Sequence, residues 1–220
     1  MIIRTTTLMT QTDPILTLHQ LFSPAFPVGA FAYSHGLETE VQAGRVATAA
    51  QAQDWIHTVL TQGAGWSDAV LFVHAAVGPD SQKLADLACA LAPSAERRQE
   101  TVLQGAAFAQ TVSQVWGIDL PEYAYPVAVG CAVSLLSLPA EDALTLYLQA
   151  MVSNLTGAAV RLVPLGQTDG QRIVKALSPC CTELAERAWE ADLDDIGGFA
   201  PLIDIASQRH ESLYSRIFRS

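Results

Sequence analysis

The chain has 220 residues, half of them hydrophobic and 15% charged, with 22 acidic against 12 basic side chains and a formal net charge of -10. A chain of this length buries roughly 70% of the surface that its unfolded form exposes, so one core suffices and dominant disorder is excluded. The acidic balance argues against nucleic acid or an anionic membrane as partner, since both are bound through basic faces that neutralise phosphate.

The first thirteen residues are Thr-rich, with one Arg and no apolar run. They read as a flexible segment rather than a secretory signal, and the chain is expected to be cytoplasmic. Asp13-Pro14 opens a short helix to about Phe22, and a second runs from near Tyr33 to a stop at Gly44. Thr48-Ala-Ala-Gln51 is a capping box, and Trp55, Ile56, Val59 and Leu60 behind it recur at helical spacing. Further helices are predicted over residues 49–64, 66–77, 80–92, 95–116, 124–138 and 141–163, the last stopped by Pro164. A shorter helix follows at 169–177, and Ser178-Pro179 then reads as N-cap and N1 of another that runs to about Ala191. No run shows sustained strand alternation, and no linker rich in Gly, Ser or Pro divides the chain. The fold class is therefore all-α: a single-domain helical bundle of about eight to ten helices with short loops, spanning 14–206 between the N-terminal segment 1–13 and a tail, 207–220.

Three uncharged stretches of 18 residues, Thr101–Ile118, Tyr123–Ala140 and Ala143–Val160, reach the lower length limit for crossing a membrane. Gln and Ser in the first, Pro126 and Gly130 in the second, and Gln149, Ser153 and Asn154 in the third favour helices buried in a protein core. Cys89, Cys131, Cys180 and Cys181 form no C-x-x-C pair, and none of the five histidines lies within four residues of one of them. No structural zinc site is indicated, and the thiols read as reduced and mostly buried.

Three segments differ from routine helix or turn. The first, Leu21 to Phe31, sets Pro24, Pro27 and Gly29 among Phe22, Phe26 and Phe31. It reads either as a rigid loop plugging the core or as a stiff apolar surface for a partner. The second, Arg161 to Gln171, is a helix end followed by a glycine-bracketed turn. A P-loop needs a lysine after its second glycine and a strand before its first, whereas Gln171 follows Gly170 and a helix precedes, so nucleotide binding is not indicated. The local alternative is a new helix capped by Thr168 or Asp169. The third is the tail, Gln208 to Ser220, where Leu213, Tyr214, Ile217 and Phe218 form an i, i+1, i+4, i+5 stripe, and three Arg against one Glu leave +2 on a body of -12. This amphipathic segment either docks on its own acidic body or is offered to another protein.

Catalytic patterns are lacking. Ser34-His35 is adjacent in sequence without a nucleophile elbow, the acidic run Glu183 to Asp195 lacks the calcium-loop glycine and terminal glutamate, and neither H-E-x-x-H nor Glu-x-x-His occurs. An all-α enzyme or carrier holding an apolar small ligand among the long uncharged helices is the alternative to an interaction protein.

Taken together, the three segments resemble the urease accessory protein UreF family. Ser23-Pro24-Ala25-Phe26-Pro27-Val28-Gly29-Ala30-Phe31-Ala32-Tyr33-Ser34-His35-Gly36-Leu37-Glu38 is similar to the family's S-P-x-x-P-x-G-x-F-x-x-S-x-G-L-E opening. Arg161-Leu162-Val163-Pro164-Leu165-Gly166-Gln167-Thr168-Asp169-Gly170-Gln171 resembles its second signature, and Arg209 to Ser220 its R-H-E-x-x-Y-S-R-x-F ending. Where a histidine is expected before Pro126-Val127-Ala128, Tyr125 or Tyr123 stands. The resemblance implies a non-enzymatic maturation factor without a cofactor or metal site of its own, which helps to load nickel into apo-urease. It implies a homodimer that binds UreD, also called UreH, and recruits the GTPase UreG. Residues carried over as partner-binding are Ser23, Pro24, Pro27, Gly29, Phe31, Tyr33, Ser34, Gly36, Leu37 and Glu38 in the opening, Arg161, Pro164, Gly166, Gln167, Asp169, Gly170 and Gln171 in the second signature, and Arg209, His210, Tyr214, Ser215, Arg216 and Phe218 in the tail. Tyr214, Ile217 and Phe218 are expected to enter a groove of UreD with Arg216 and Arg219 at its edge, and Pro24 to Glu38 to lie near the GTPase. Arg161, Arg172 and Lys175 are the cations available for modulating hydrolysis, and a cation at Arg161 also suits a helix C-terminus.

Overall fold

A computed structural model describes residues 13–220. Among them lie ten α-helices and no strand: α1 Pro14–Leu21, α2 Leu37–Gln42, α3 Ala49–Gln62, α4 Ala64–Val77, α5 Ser81–Leu91, α6 Ala95–Trp116, α7 Tyr125–Leu135, α8 Ala140–Leu162, α9 Gln167–Trp189 and α10 Pro201–His210. The chain is all-α, as its sequence predicts, and the segment 1–13 expected to be flexible lies almost wholly outside the described residues.

The centre of the bundle is α4 against α7, with α8, α3 and α9 packed around this pair and α6 closing the other side of α7. Every residue of α7 from Pro126 to Val133 is buried, which is why its sequence shows no polar face. Close approach of α4 and α7 depends on Gly130, because a Cβ there would lie 2.4 Å from the Phe72 carbonyl oxygen. Phe108, Tyr125, Tyr147 and Phe72 form a run of tilted and edge-on rings at centroid separations of 5.5–5.9 Å. Tyr125, one of the two tyrosines where the family resemblance leads one to expect histidine, is thus half-buried and packed against the aromatic core. Among the described residues only α8 is long and apolar enough to cross a membrane, and half of its apolar window is buried inside the bundle.

Several boundaries depart from expectation: the helix expected from near Tyr33 begins at Leu37, and the one expected over 124–138 ends at Leu135. The helix predicted to begin at Ser178-Pro179 is instead the second half of α9, which runs through Pro179. Proline costs an interior helix one hydrogen bond, but Leu177, Cys181 and Leu184 continue the buried stripe begun at Ile173, and burial of that stripe outweighs the loss. The Ser178 hydroxyl, read as a cap, instead donates to the Val174 carbonyl 2.9 Å away. Likewise Gly166 is the N-cap of α9, and the Asp169 carboxylate reaches back to accept the Gly166 N–H at 3.3 Å. Neither Thr168 nor Asp169 is itself the cap residue.

A further departure concerns the tail. The helix in this region is α10, opened by Pro201 and ended at His210, while residues 211–220 are turns, bends and irregular chain. The i, i+1, i+4, i+5 stripe therefore does not lie on one helical face. The signal for α10 was present in Pro201 at N1 and in Ile203, Ala206, Ser207 and His210, whose i, i+3, i+4, i+7 spacing is the buried face.

Candidate interaction surface

All three segments singled out in the sequence meet in space. After α10 the tail folds back across α2 and α6, and Arg219 donates its N–H to the Ala32 carbonyl at 2.8 Å while Ser34 donates to the Ser220 carbonyl at 2.8 Å. Arg161, at the end of α8, donates to the Phe31 carbonyl at 3.2 Å, and its guanidinium carbon lies 6.0 Å from the centroid of the Phe218 ring. One residue from each segment (Phe31, Arg161, Phe218) therefore contributes to a single small neighbourhood. Arg161 is fixed by these contacts. Arg172 is engaged with Asp169 at 2.7 Å, and Lys175 is exposed.

Burial divides the expected partner-binding residues into two groups. Tyr33, Ser34, Gly36, Leu37, Glu38, Gly170, His210 and Phe218 are buried within the chain itself. Facing outward are Pro24, Pro27, Phe31, Arg161, Pro164, Gly166, Gln167, Gln171, Arg209, Tyr214, Ser215 and Arg216, with Ser23, Gly29 and Asp169 half-buried. Phe218, 3% exposed, sits in its own chain, whereas Tyr214 is fully exposed and Ile217 is 72% exposed.

Ionic contacts hold the tail on the acidic body. Glu96 on α6 pairs with Arg216 and accepts from His210 Nδ1 at 2.7 Å, while His210 Nε2 lies 3.3 Å from Glu38. Glu211 reaches over to accept the Ala95 N–H at 2.8 Å, satisfying one of the free donors at the start of α6. Although His210 has a carboxylate at each ring nitrogen, the two face opposite directions, so they do not converge on one point. Among the described residues no group of three His, Cys, Asp or Glu side chains is arranged to hold a metal ion.

Beneath the tail lies a buried charge network that the sequence did not announce. Arg97 and Glu100, one helical turn apart on α6 and both less than a tenth exposed, form an ion pair. Arg97 Nη1 is 2.8 Å from His35 Nε2. A guanidinium only donates, so Nε2 accepts and the His35 proton resides on Nδ1. This agrees with a His35 pKa lowered by burial and by the Arg97 charge, and the 3.2 Å approach of Nε2 to Glu100 is then not a donated hydrogen bond. Burial alone would raise the Glu100 pKa, but Arg97 above all holds it down at about 2. Ser220 Oγ also donates to Glu100, at 2.8 Å, so the network ends at the tail.

Asp68 on α4 accepts from the Tyr147 hydroxyl at 2.7 Å. Burial pushes its carboxyl up to about 6, against the pull of Arg97 and of the tyrosine hydrogen bond. Asp68, His35 and Arg97 line both a cavity of about 180 Å³ beside α3 and α10 and one of about 50 Å³ beside α8. These are the interior spaces nearest to the expectation of a core ligand, and buried charge forms their shared wall. An i, i+3 charge pair such as Arg97 and Glu100 usually marks a solvated helix face, and only burial distinguishes this one.

The model of the UreF family matches residues 46–178. The chain is 53% identical to urease accessory protein UreF of Cereibacter sphaeroides strain KD131, over 94% of this chain and 98% of that protein. It is 50% identical to the protein so named from Ruegeria pomeroyi, over 94% and 96% of the two chains, and 45% identical to that of Roseobacter denitrificans over the full length of both. With the family model covering more than half of the chain and the similarity to the Roseobacter denitrificans protein running the full length of both, the chain belongs to the UreF family of urease accessory proteins.

Proposed function

We propose that this chain is a non-catalytic scaffold for nickel insertion into apo-urease, which as a homodimer in the cytoplasm binds UreD/UreH and through it recruits the GTPase UreG. Family membership supports the accessory role. The observation that carries the interaction reading is the meeting of the opening loop, the end of α8 and the tail, with Phe31, Tyr214 and Ile217 left exposed around it. Exposed aromatic and aliphatic side chains beside arginines are the usual energetic anchors of a protein interface. Nickel is the cargo of this assembly, and the chain contributes surface rather than ligands.

In this reading UreD/UreH grips the tail through Tyr214 and Ile217, with Arg219 at the rim, while Phe218 serves as the internal wedge that seats the tail. Phe31, Pro24 and Pro27 are the part of the opening segment open to a second partner, the GTPase. Co-purification tests both assignments: Tyr214→Ala with Ile217→Ala should lose UreD/UreH, and Phe31→Ala should retain UreD/UreH while reducing UreG recruitment. Undiminished capture of UreD/UreH by the double variant would refute the tail assignment.

A further inference from the structure

Glu38 stands inside the opening signature, yet its side chain is 1% exposed, so no partner can touch it. What it does touch is the tail. Its Oε1 accepts the Ile217 N–H at 2.8 Å and Gln42 Nε2 at 3.3 Å; its Oε2 accepts the Phe218 N–H at 2.9 Å and faces His210 Nε2 at 3.3 Å. Oε1 thus accepts two N–H donors and Oε2 one, with His210 beside it, which is how a carboxylate tolerates burial. Two consecutive backbone N–H groups donate to the two oxygens of one carboxylate, charge-assisted hydrogen bonds that fix the main chain at this point.

We infer that Glu38 is a positioning residue for the tail: its carboxylate fixes the main chain at Ile217 and Phe218 so that Phe218 points inward and Ile217 outward, and UreD/UreH binds the tail in this docked form. The inference rests on the reading of the tail as partner-binding. Glu96 supports the same arrangement from α6 by holding Arg216 and His210. Between His210 and Arg216 the tail has few ties, among them the Gln42 amide to the Ser215 carbonyl at 3.0 Å. Without the Glu38 anchor the strap would still be held by Phe218, by the pairing at Ala32 and Ser34, by Ser220 on Glu100 and by the ties of Glu96 and Gln42, but none of these engages the N–H groups of Ile217 and Phe218.

Amide hydrogen exchange on the full chain, with and without Glu38→Gln, tests the clasp in the absence of any partner. The amide isostere removes the charge and turns an N–H₂ toward one of the two backbone N–H groups. Protection at Ile217 and Phe218 should fall at least about tenfold, the loss expected for hydrogen bonds to a charged acceptor, while α4 and α7 amides exchange as before. Unchanged protection at these two amides would overturn the inference. Arg216→Gln, which cuts only the exposed pair with Glu96, should give a smaller loss at the same amides and keeps the test open if Glu38→Gln folds poorly. Capture of UreD/UreH by Glu38→Gln should weaken in parallel. A freed tail with undiminished capture would overturn the claim that the docked form is the binding form. If the clasp is lost as expected but Tyr214→Ala with Ile217→Ala still binds UreD/UreH normally, the clasp stands and the partner reading falls.

Discussion

Gly36 and Ser207 are in such close contact that a Cβ on the glycine would come within 2.7 Å of the serine backbone nitrogen. Gly36 also holds φ +79°, a left-handed conformation that glycine alone adopts without strain. This is where α2 meets α10, and the Thr39 hydroxyl completes the joint by donating to the Ala206 carbonyl at 3.0 Å. Gly36→Ala should therefore destabilise the fold by about 2–4 kcal/mol, from the sum of backbone strain and forced separation of the two helices. Urea unfolding checks the magnitude, and a change under about 0.5 kcal/mol, the size of an ordinary surface substitution, would contradict the packing argument.

The Arg97–Glu100 pair is buried on both sides, so removing one partner strands the other charge. Arg97→Met is expected to cost about 3–5 kcal/mol. Glu100 has a folded pKa depressed from 4.5 to about 2, so the unfolded chain binds more protons between those values. Its contribution is fully present above about pH 4.5 and is lost as pH falls toward 2. In Glu100→Gln that part of the acid dependence should vanish, measured as the change in urea midpoint between pH 2 and pH 5 relative to the wild type.

Asp68 carries the opposite sign. Its folded pKa is raised from 3.8 to about 6, so the folded chain binds more protons in that window and stability is lost as pH rises through it. Asp68→Asn keeps an acceptor for the Tyr147 hydroxyl and removes the buried charge. The variant should be more stable than the wild type by about 1–2 kcal/mol at pH 7.5, a figure discounted because the side chain borders two cavities. The advantage should shrink to nothing below about pH 4, where the wild-type carboxyl is protonated in both states. A variant less stable than the wild type at pH 7.5 would show that the charge is needed by Arg97.

Two neighbouring tail residues should separate cleanly. Phe218→Ala removes an inward ring that is 3% exposed, so the tail of the isolated chain should loosen, seen as faster tryptic cleavage after Arg216. Ile217→Ala removes a side chain that is 72% exposed, so cleavage should be unchanged while UreD/UreH capture weakens. The reverse pattern would mean that the inward and outward roles are exchanged.

How much of this was legible beforehand varies with the range of the forces involved. Helices α3 and α6 begin where Thr48 and Ser94 act as caps, and α6 runs over Ala95–Trp116 as predicted, because capping and apolar spacing act within one turn. At Pro179 the local signal for a break is outweighed by packing along the whole of α9. The tail shows the reverse: its apolar stripe has helical periodicity, but hydrogen bonds donated to Glu38 and Ala32 and accepted from Ser34 hold the chain in another form.

The -10 charge, the all-α class and the three unusual segments belong to the sequence by itself, since composition, propensity and motif order are local or additive properties. That the +2 tail lies on its own acidic body, and that Glu38 and Phe218 face inward while Tyr214 and Ile217 face out, was decided only by tertiary structure. The contacts responsible join residues such as Glu38 and Phe218 that are 180 positions apart, and which donor finds a buried carboxylate depends on how the intervening helices pack, a property that no local window of sequence contains.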